Sequence, residues 1–311
     1  MIELLRASSA YKRIKTESAA GKTAHATLII FPDEAYLRAM LRECAKAFFG
    51  AEDGGRIAGL IDSESFSDCS FFPPAGEKLT AETAGRLLDE SNLKPVEGGK
   101  KLFVLDGFHT VTPLVQNKLL KLLEEPAEGV YFLLGACAEH SVLPTVLSRV
   151  NKIAVAPFSE EQILGALRRG HPEEDGRQAA AASGGVYSVA ESLLGGGEVF
   201  RLAEEFLAGE NAKLCREIGE RKDKRAFLSA VRLLLRDMLF YRTGREKYAA
   251  LKSETTARLA ESYSEGAILE SIRLTDEAEK QIQFNANFAQ ALLVLAIGIQ
   301  KEKAKWQKLS L

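Results

Sequence analysis

Lys101-Leu102-Phe103-Val104-Leu105-Asp106 is an unbroken apolar run closed by a carboxylate, the pattern of a strand buried on both faces. Thr112-Pro113 follows, a capping residue with proline at the first helical position. The helix it opens runs through Leu119, Leu120, Leu122 and Leu123 and stops before Pro126. Val130-Tyr131-Phe132-Leu133-Leu134 is the next apolar run, so the stretch reads as strand, helix, strand: one βαβ unit.

The same alternation extends outward. Thr27-Leu28-Ile29-Ile30-Phe31 and Lys152-Ile153-Ala154-Val155-Ala156 read as strands, and Cys69-Ser70-Phe71-Phe72 as a short one stopped by Pro73-Pro74. Between them, Asp33 to Phe49 carries Leu37, Met40, Leu41, Cys44, Ala45 and Phe48 at helical spacing. A Gly/Asp-rich loop, Gly50 to Gly55, ends that helix, and Thr80 caps a further one reaching Asn92. Strands alternating with helices imply right-handed crossovers and a mainly parallel sheet covered on both faces.

The style changes at Pro157. Ser159-Glu160-Glu161-Gln162 is a capping box, and helical periodicity dominates from there on. Gly195-Gly196-Gly197 is a candidate hinge between two helical units. The expected fold class is therefore α/β plus all-α, in three parts: a parallel α/β domain over 1–157, a small helical domain over 158–200, and a helical domain over 201–311.

Composition narrows the function classes. The 311 residues carry 41 Lys+Arg against 43 Asp+Glu, a formal net charge of -2, so no basic excess announces nucleic acid. Charge clusters such as Arg221 to Arg225 and Lys301 to Lys305 are interrupted by acids and read as solvated helix faces rather than DNA sites. The N-terminus has no apolar core of signal-peptide length. The apolar stretch Phe288 to Ile299 falls short of the roughly 20 residues that span a bilayer, and reads as a buried helix. Cys44, Cys69, Cys137 and Cys215 lie far apart without a CxxC pair. That spacing fits buried, reduced thiols and a cytoplasmic protein, and argues against a zinc knuckle.

A strand ending at Asp106 raises the question of nucleotide. A phosphate site needs a Gly-rich loop after the first strand, whose N–H groups cradle phosphates at a helix N-terminus. Here that turn is Pro32-Asp33-Glu34-Ala35-Tyr36-Leu37-Arg38-Ala39-Met40, without a glycine and with two acids where an anion would sit. Gly21-Lys22-Thr23 spells the end of a phosphate-loop motif, but it precedes the strand, and Thr16 stands where the first glycine would be. Asp106 is followed by Gly107, Phe108 and His109, with no second carboxylate to orient a water. Asp106 is expected to cap the local turn, and His109 to be a surface or capping histidine rather than a metal ligand.

Leu119-Leu120-Lys121-Leu122-Leu123-Glu124-Glu125-Pro126, preceded by Asn117, resembles the LLKxLEEP segment of clamp-loader subunits of the AAA+ superfamily. His25-Ala26-Thr27-Leu28, Leu147-Ser148-Arg149 and Asn285-Ala286-Asn287 resemble, in the same order, the lead into the first strand, the Ser-Arg-Cys motif and the NxN segment of delta-prime-type subunits. Val150 replaces the cysteine of the Ser-Arg-Cys motif, and Gly50 to Lys100 holds only Cys69 where many such subunits carry a four-cysteine zinc module.

The resemblance implies a RecA-like AAA+ domain, a small helical lid and a helical oligomerisation collar. It implies a non-catalytic subunit of the bacterial DNA polymerase III holoenzyme, within a hetero-oligomeric ring of five. The partners would be gamma/tau and delta subunits, a sliding clamp, and primed DNA met through the complex. Arg149 would act as an arginine finger on a neighbour's ATP, because a guanidinium stays charged and gives paired donors to phosphate oxygens. A solvated or salt-bridged arginine before a strand is the plainer reading of the same residue. No ATP and no zinc would be bound by this chain itself. An active gamma/tau-type ATPase, and a stand-alone scaffold or DNA-binding protein on the same fold, are the competing readings.

Overall fold

In the computed structural model, residues 1–97, 99–167, 173–195, 197–209, 211–220, 224–251, 253–283 and 286–309 are described. Gly196, Arg221 to Asp223 and Asn285 lie outside them, and with them the central residue of the glycine hinge, most of one charge cluster and the first residue of the NxN segment. The chain folds as two units, Met1–Pro157 and Phe158–Leu311.

The first unit begins with α1 (Ile2–Ala7) and α2 (Ser9–Ala19), followed by β1 (Ala26–Ile30), α3 (Glu34–Phe49), α4 (Arg56–Asp62) and β2 (Cys69–Phe72). It continues with α5 (Ala81–Glu90), β3 (Lys101–Leu105), α6 (Pro113–Glu124), β4 (Val130–Ala136), α7 (Pro144–Leu147) and β5 (Asn151–Ala154). The five strands form one sheet in the order β2-β3-β4-β1-β5, and every pairing is parallel. This is the parallel α/β arrangement that the unbroken apolar runs require, since such strands must be covered on both faces.

One layer of core packs Phe103, Phe132, Leu105 and Leu134 of the sheet against Val115, Leu119 and Leu123 of α6, with the Phe103 and Phe132 rings stacked at 5.6 Å. On β4 a Cβ at Gly135 would lie 2.7 Å from Leu41 Cδ1 of α3, so a side chain there would require the leucine tips of α3 to shift. The glycine lets α3 pack closely on β4.

Strand edges differ from the sequence reading by one or two residues. β5 ends at Ala154, and Asp106 lies one residue beyond β3, where its N–H still donates to Phe72 O at 2.8 Å. The amphipathic helices α1 and α2, and the short α4, are additions. Cys44, Cys69 and Cys215 are buried as expected, whereas Cys137, just past β4, is only half-buried. Burial pushes the Cys44 and Cys69 thiols far up, so neither is a ready thiolate.

The second unit is helical over its described residues: α8 (Glu160–Leu167), α9 (Glu173–Ala182), α10 (Tyr187–Leu193), α11 (Gly197–Ala208), α12 (Asn211–Gly219), α13 (Lys224–Arg242), α14 (Glu254–Glu261), α15 (Glu265–Gln283) and α16 (Phe288–Leu309). The capping box forms reciprocally, Ser159 N–H to Gln162 Oε1 at 2.9 Å and Gln162 N–H to Ser159 Oγ at 3.2 Å. α13 buries Leu233, Leu234, Leu235 and Met238. Tyr263, fully enclosed, donates its hydroxyl to Leu207 O at 2.6 Å and so ties α11 to the start of α15.

α16 is the buried helix expected on one side only. Ala291, Leu292, Leu295, Ala296 and Ile299 are buried, but Leu293, Val294 and Ile297 form an exposed apolar face. In the Lys301 to Lys305 cluster, the Lys303 ammonium lies 4.6 Å over the Tyr263 ring, so that lysine covers the core. No described helix is long and apolar enough to cross a membrane.

Candidate functional site

In open parallel sheets, ligands are held outside the carboxyl ends of the strands; one group of charged residues lies there, and a second lies at the opposite edge, where the chain enters β4 and β5. The first lies where a nucleotide would be sought. Asp33, buried, begins α3, and the backbone enters the helix without a glycine loop. One turn into α3, the Arg38 guanidinium crosses to the end of β3. Its Nη1 donates to Asp106 Oδ2 at 3.1 Å and to Pro73 O at 3.2 Å. Its Nε donates to Glu64 Oε1 at 2.7 Å, and Nη2 also pairs with Glu64.

Arg42, the next turn of α3, adds Nε and Nη2 bonds to the same Glu64 oxygen at 3.0 and 2.7 Å. The Arg38 side chain also lies over the Phe71 ring, 5.4 Å from its centroid. Burial alone would raise the Glu64 carboxyl, but hydrogen bonds and charge from Arg38 and Arg42 outweigh it and hold Glu64 below its ordinary range. Asp106 is therefore committed to Arg38, which corrects the turn-capping role expected of it. A carboxylate so neutralised is poorly placed to hold a metal ion. His109 is corrected as well: its ring is largely buried, with Nε2 3.7 Å from Glu34 Oε1.

The residues present do not fit ATP with its magnesium. The turn into α3 has no glycine loop to cradle phosphates, and the Arg38 guanidinium is paired with Asp106, the carboxylate that follows β3. They do not fit a zinc module either. Cys69 is buried in β2, and among the described residues no group of three or more His, Cys, Asp or Glu side chains could hold a metal.

The second group surrounds Arg149, in the turn between α7 and β5. Its Nε donates to Glu124 Oε2 at 3.1 Å, and its Nη1 to Thr145 O at 2.9 Å and Ser148 Oγ at 3.3 Å. Ser148 also caps its own turn through Thr145 O at 3.0 Å. The Arg149 side chain is 31% exposed. Glu124 is the last residue of α6, so the helix carrying the LLKxLEEP segment and the turn carrying Ser148-Arg149 meet in one ion pair.

Gln116, buried in α6, holds the start of α7. Its Nε2 donates to Val111 O and Ser141 O at 2.9 and 3.0 Å, and its Oε1 accepts from Leu143 N–H at 2.9 Å. Arg149 and Asp106 stand out in the sequence, but their partners Glu124 and Arg38 do not, nor do Glu64 and Arg42, which complete the Arg38 cluster, or Gln116, which holds the start of α7. The available signal was the pair of arginines one turn apart, on the helix that follows the first strand.

The family model described as "DNA polymerase III, delta subunit" matches residues 6–159. The DNA polymerase III subunit tau/gamma of Haemophilus influenzae is 36% identical over 89 residues, 29% of this chain and 13% of that protein. The DNA polymerase III subunit tau of Escherichia coli is 34% identical over 109 residues, 35% of this chain and 15% of that protein. The chain thus spans only a small part of the length of these relatives. The DNA polymerase III subunit delta' of Bacillus subtilis is 27% identical over 125 residues, 38% of each. Among solved structures, a DNA polymerase III gamma subunit-related protein from Thermotoga maritima aligns over 93% of this chain and 99% of its own, at 18% identity and a TM-score of 0.47.

Proposed function

We propose that this chain, which belongs to the DNA polymerase III clamp-loader subunits of the AAA+ superfamily, serves in the loader as a delta-prime-type subunit that binds no ATP of its own. In this role it occupies one place in a hetero-oligomeric ring with gamma/tau and delta subunits, and helps to open a sliding clamp onto primed DNA. Arg149 reaches the ATP of a neighbouring subunit, where its fixed charge and paired donors stabilise the transferring phosphoryl group.

The observation that carries the reading is the ion cluster of Arg38, Arg42, Glu64 and Asp106. It supports an AAA+ subunit whose own nucleotide position is filled by protein, so that any part it takes in ATP chemistry is at a neighbour's site. The exposed apolar face of α16, Leu293, Val294 and Ile297, supports a collar within 201–311 that joins neighbours, with 158–200 as the lid. A near-neutral net charge suits a subunit that meets DNA through a ring.

The gamma/tau-type ATPase draws on the 36% identity to a tau/gamma subunit. It would require phosphate binding at a turn with no glycine, and is the weaker reading. The test is Arg149→Ala in a loader reconstituted with this full chain. Assembly should be retained and DNA-stimulated ATP hydrolysis should fall by at least roughly tenfold, given that a trans arginine contributes on the order of 10³ or more in better-known phosphoryl-transfer systems. Hydrolysis and clamp loading at wild-type rates would exclude the role.

A further inference from the structure

The geometry points to Glu124 as the positioning residue for Arg149, with Gln116 steadying the other end of the same turn; the inference rests on the trans role of Arg149 proposed above. A guanidinium is a planar fork of five N–H donors. Three are engaged within the chain, by Glu124, Thr145 O and Ser148. Nη2, with the other two, has no partner among the described residues. Rotation of the fork would break the Glu124 bond at Nε and the Thr145 bond at Nη1 together, so the free end keeps one direction.

The pair itself adds little to stability. Glu124 is 55% exposed, and such surface pairs contribute about 0–1 kcal/mol. Its consequence is orientation: a group that must meet a phosphate on another subunit loses less freedom on contact when it is already aligned. The backbone that carries Arg149 is fixed in the same way. Gln116 anchors Ser141 and Leu143 immediately before α7, Val146 within α7 is fully buried, and Arg149 N–H donates to Val146 O at 2.9 Å. Helix α6 thus grips the arginine turn at both ends, and a displacement of α6 would carry the guanidinium with it.

The test is steady-state ATP hydrolysis with primed DNA by the reconstituted loader, using this full chain as wild type, Glu124→Ala, Glu124→Gln, Arg149→Ala and the Glu124→Ala/Arg149→Ala pair. Glu124→Ala should lower kcat roughly twofold to fivefold, the fold-change of an exposed charged pair, with KM for ATP unchanged. Glu124→Gln keeps an oxygen that accepts from Nε and should stay within about twofold of wild type. In the Arg149→Ala background, Glu124→Ala should change nothing further.

Wild-type kcat for Glu124→Ala beside an impaired Arg149→Ala would overturn the positioning role while leaving the trans role standing. Equal losses from Glu124→Ala in both backgrounds would also overturn it, since the effect would not pass through Arg149. Wild-type kcat for Arg149→Ala would overturn the reading beneath it.

Discussion

Arg38→Met removes the guanidinium from the strand-end cluster while keeping most of the apolar stem that lies over Phe71. Side chains of Arg38, Glu64 and Asp106 are 17%, 16% and 19% exposed, so the lost bonds are only partly replaced by water. Breaking a fully buried pair costs about 3–5 kcal/mol. Glu64 keeps Arg42 and all three groups reach some solvent, which brings the expected loss to about 2 kcal/mol. At roughly 2–4 °C per kcal/mol for a unit of this size, the melting temperature of the Met1–Pro157 unit should fall by about 4–8 °C at pH 7.

The pH dependence has a definite sign. The folded Glu64 carboxyl is held below its ordinary value of 4.5, so the stabilisation it brings is complete above that pH and is lost as pH falls through the lower folded value. The gap between wild type and Arg38→Met should therefore narrow on acidification below about pH 4.5. Thermal unfolding followed by circular dichroism from pH 7 to pH 3 measures both effects. A shift under about 1 °C at pH 7, or a gap that widens in acid, would refute the cluster's role in holding α3 to the ends of β2 and β3.

Other outcomes follow from single contacts. Gln116→Leu orphans Val111 O, Ser141 O and Leu143 N–H together, and should destabilise the first unit by about 2–4 kcal/mol in denaturant titration. Tyr263→Phe deletes one buried hydroxyl bond to Leu207 O and should cost about 1–2 kcal/mol by the same measurement. Leu293→Asp with Val294→Asp places charge on the exposed face of α16. Sedimentation should show ring assembly lost, while the melting temperature of the isolated chain stays within about 2 °C of wild type.

The sheet was legible because its strands are unbroken apolar runs. Thr27 to Phe31, Lys101 to Leu105 and Val130 to Leu134 each mark a strand needing cover on both faces, and the helices between them carry a 3.6-residue apolar spacing. Helices α1, α2 and α4 were not legible. They are short or densely charged, as in Lys12-Arg13-Ile14-Lys15, and take their order from packing on the sheet. The side of α16 formed by Leu293, Val294 and Ile297 was misread as buried, because an all-apolar helix gives no sign of which face the neighbours leave open.

At the site, the glycine-free turn and Arg149 were visible as local patterns. The cluster that occupies the strand ends was not, because Glu64 and Asp106 lie 26 and 68 residues from Arg38, and only the fold brings them together. The Glu124–Arg149 pair, 25 residues apart, was hidden for the same reason.

Titration of ATP with magnesium into the isolated full chain, followed calorimetrically, tests most directly the claim that this chain holds no nucleotide of its own. No saturable heat is expected up to about 1 mM ATP. Stoichiometric binding with a Kd in the micromolar range would contradict it, since neither the turn at Pro32 to Met40 nor Asp106 paired to Arg38 leaves a place for a triphosphate.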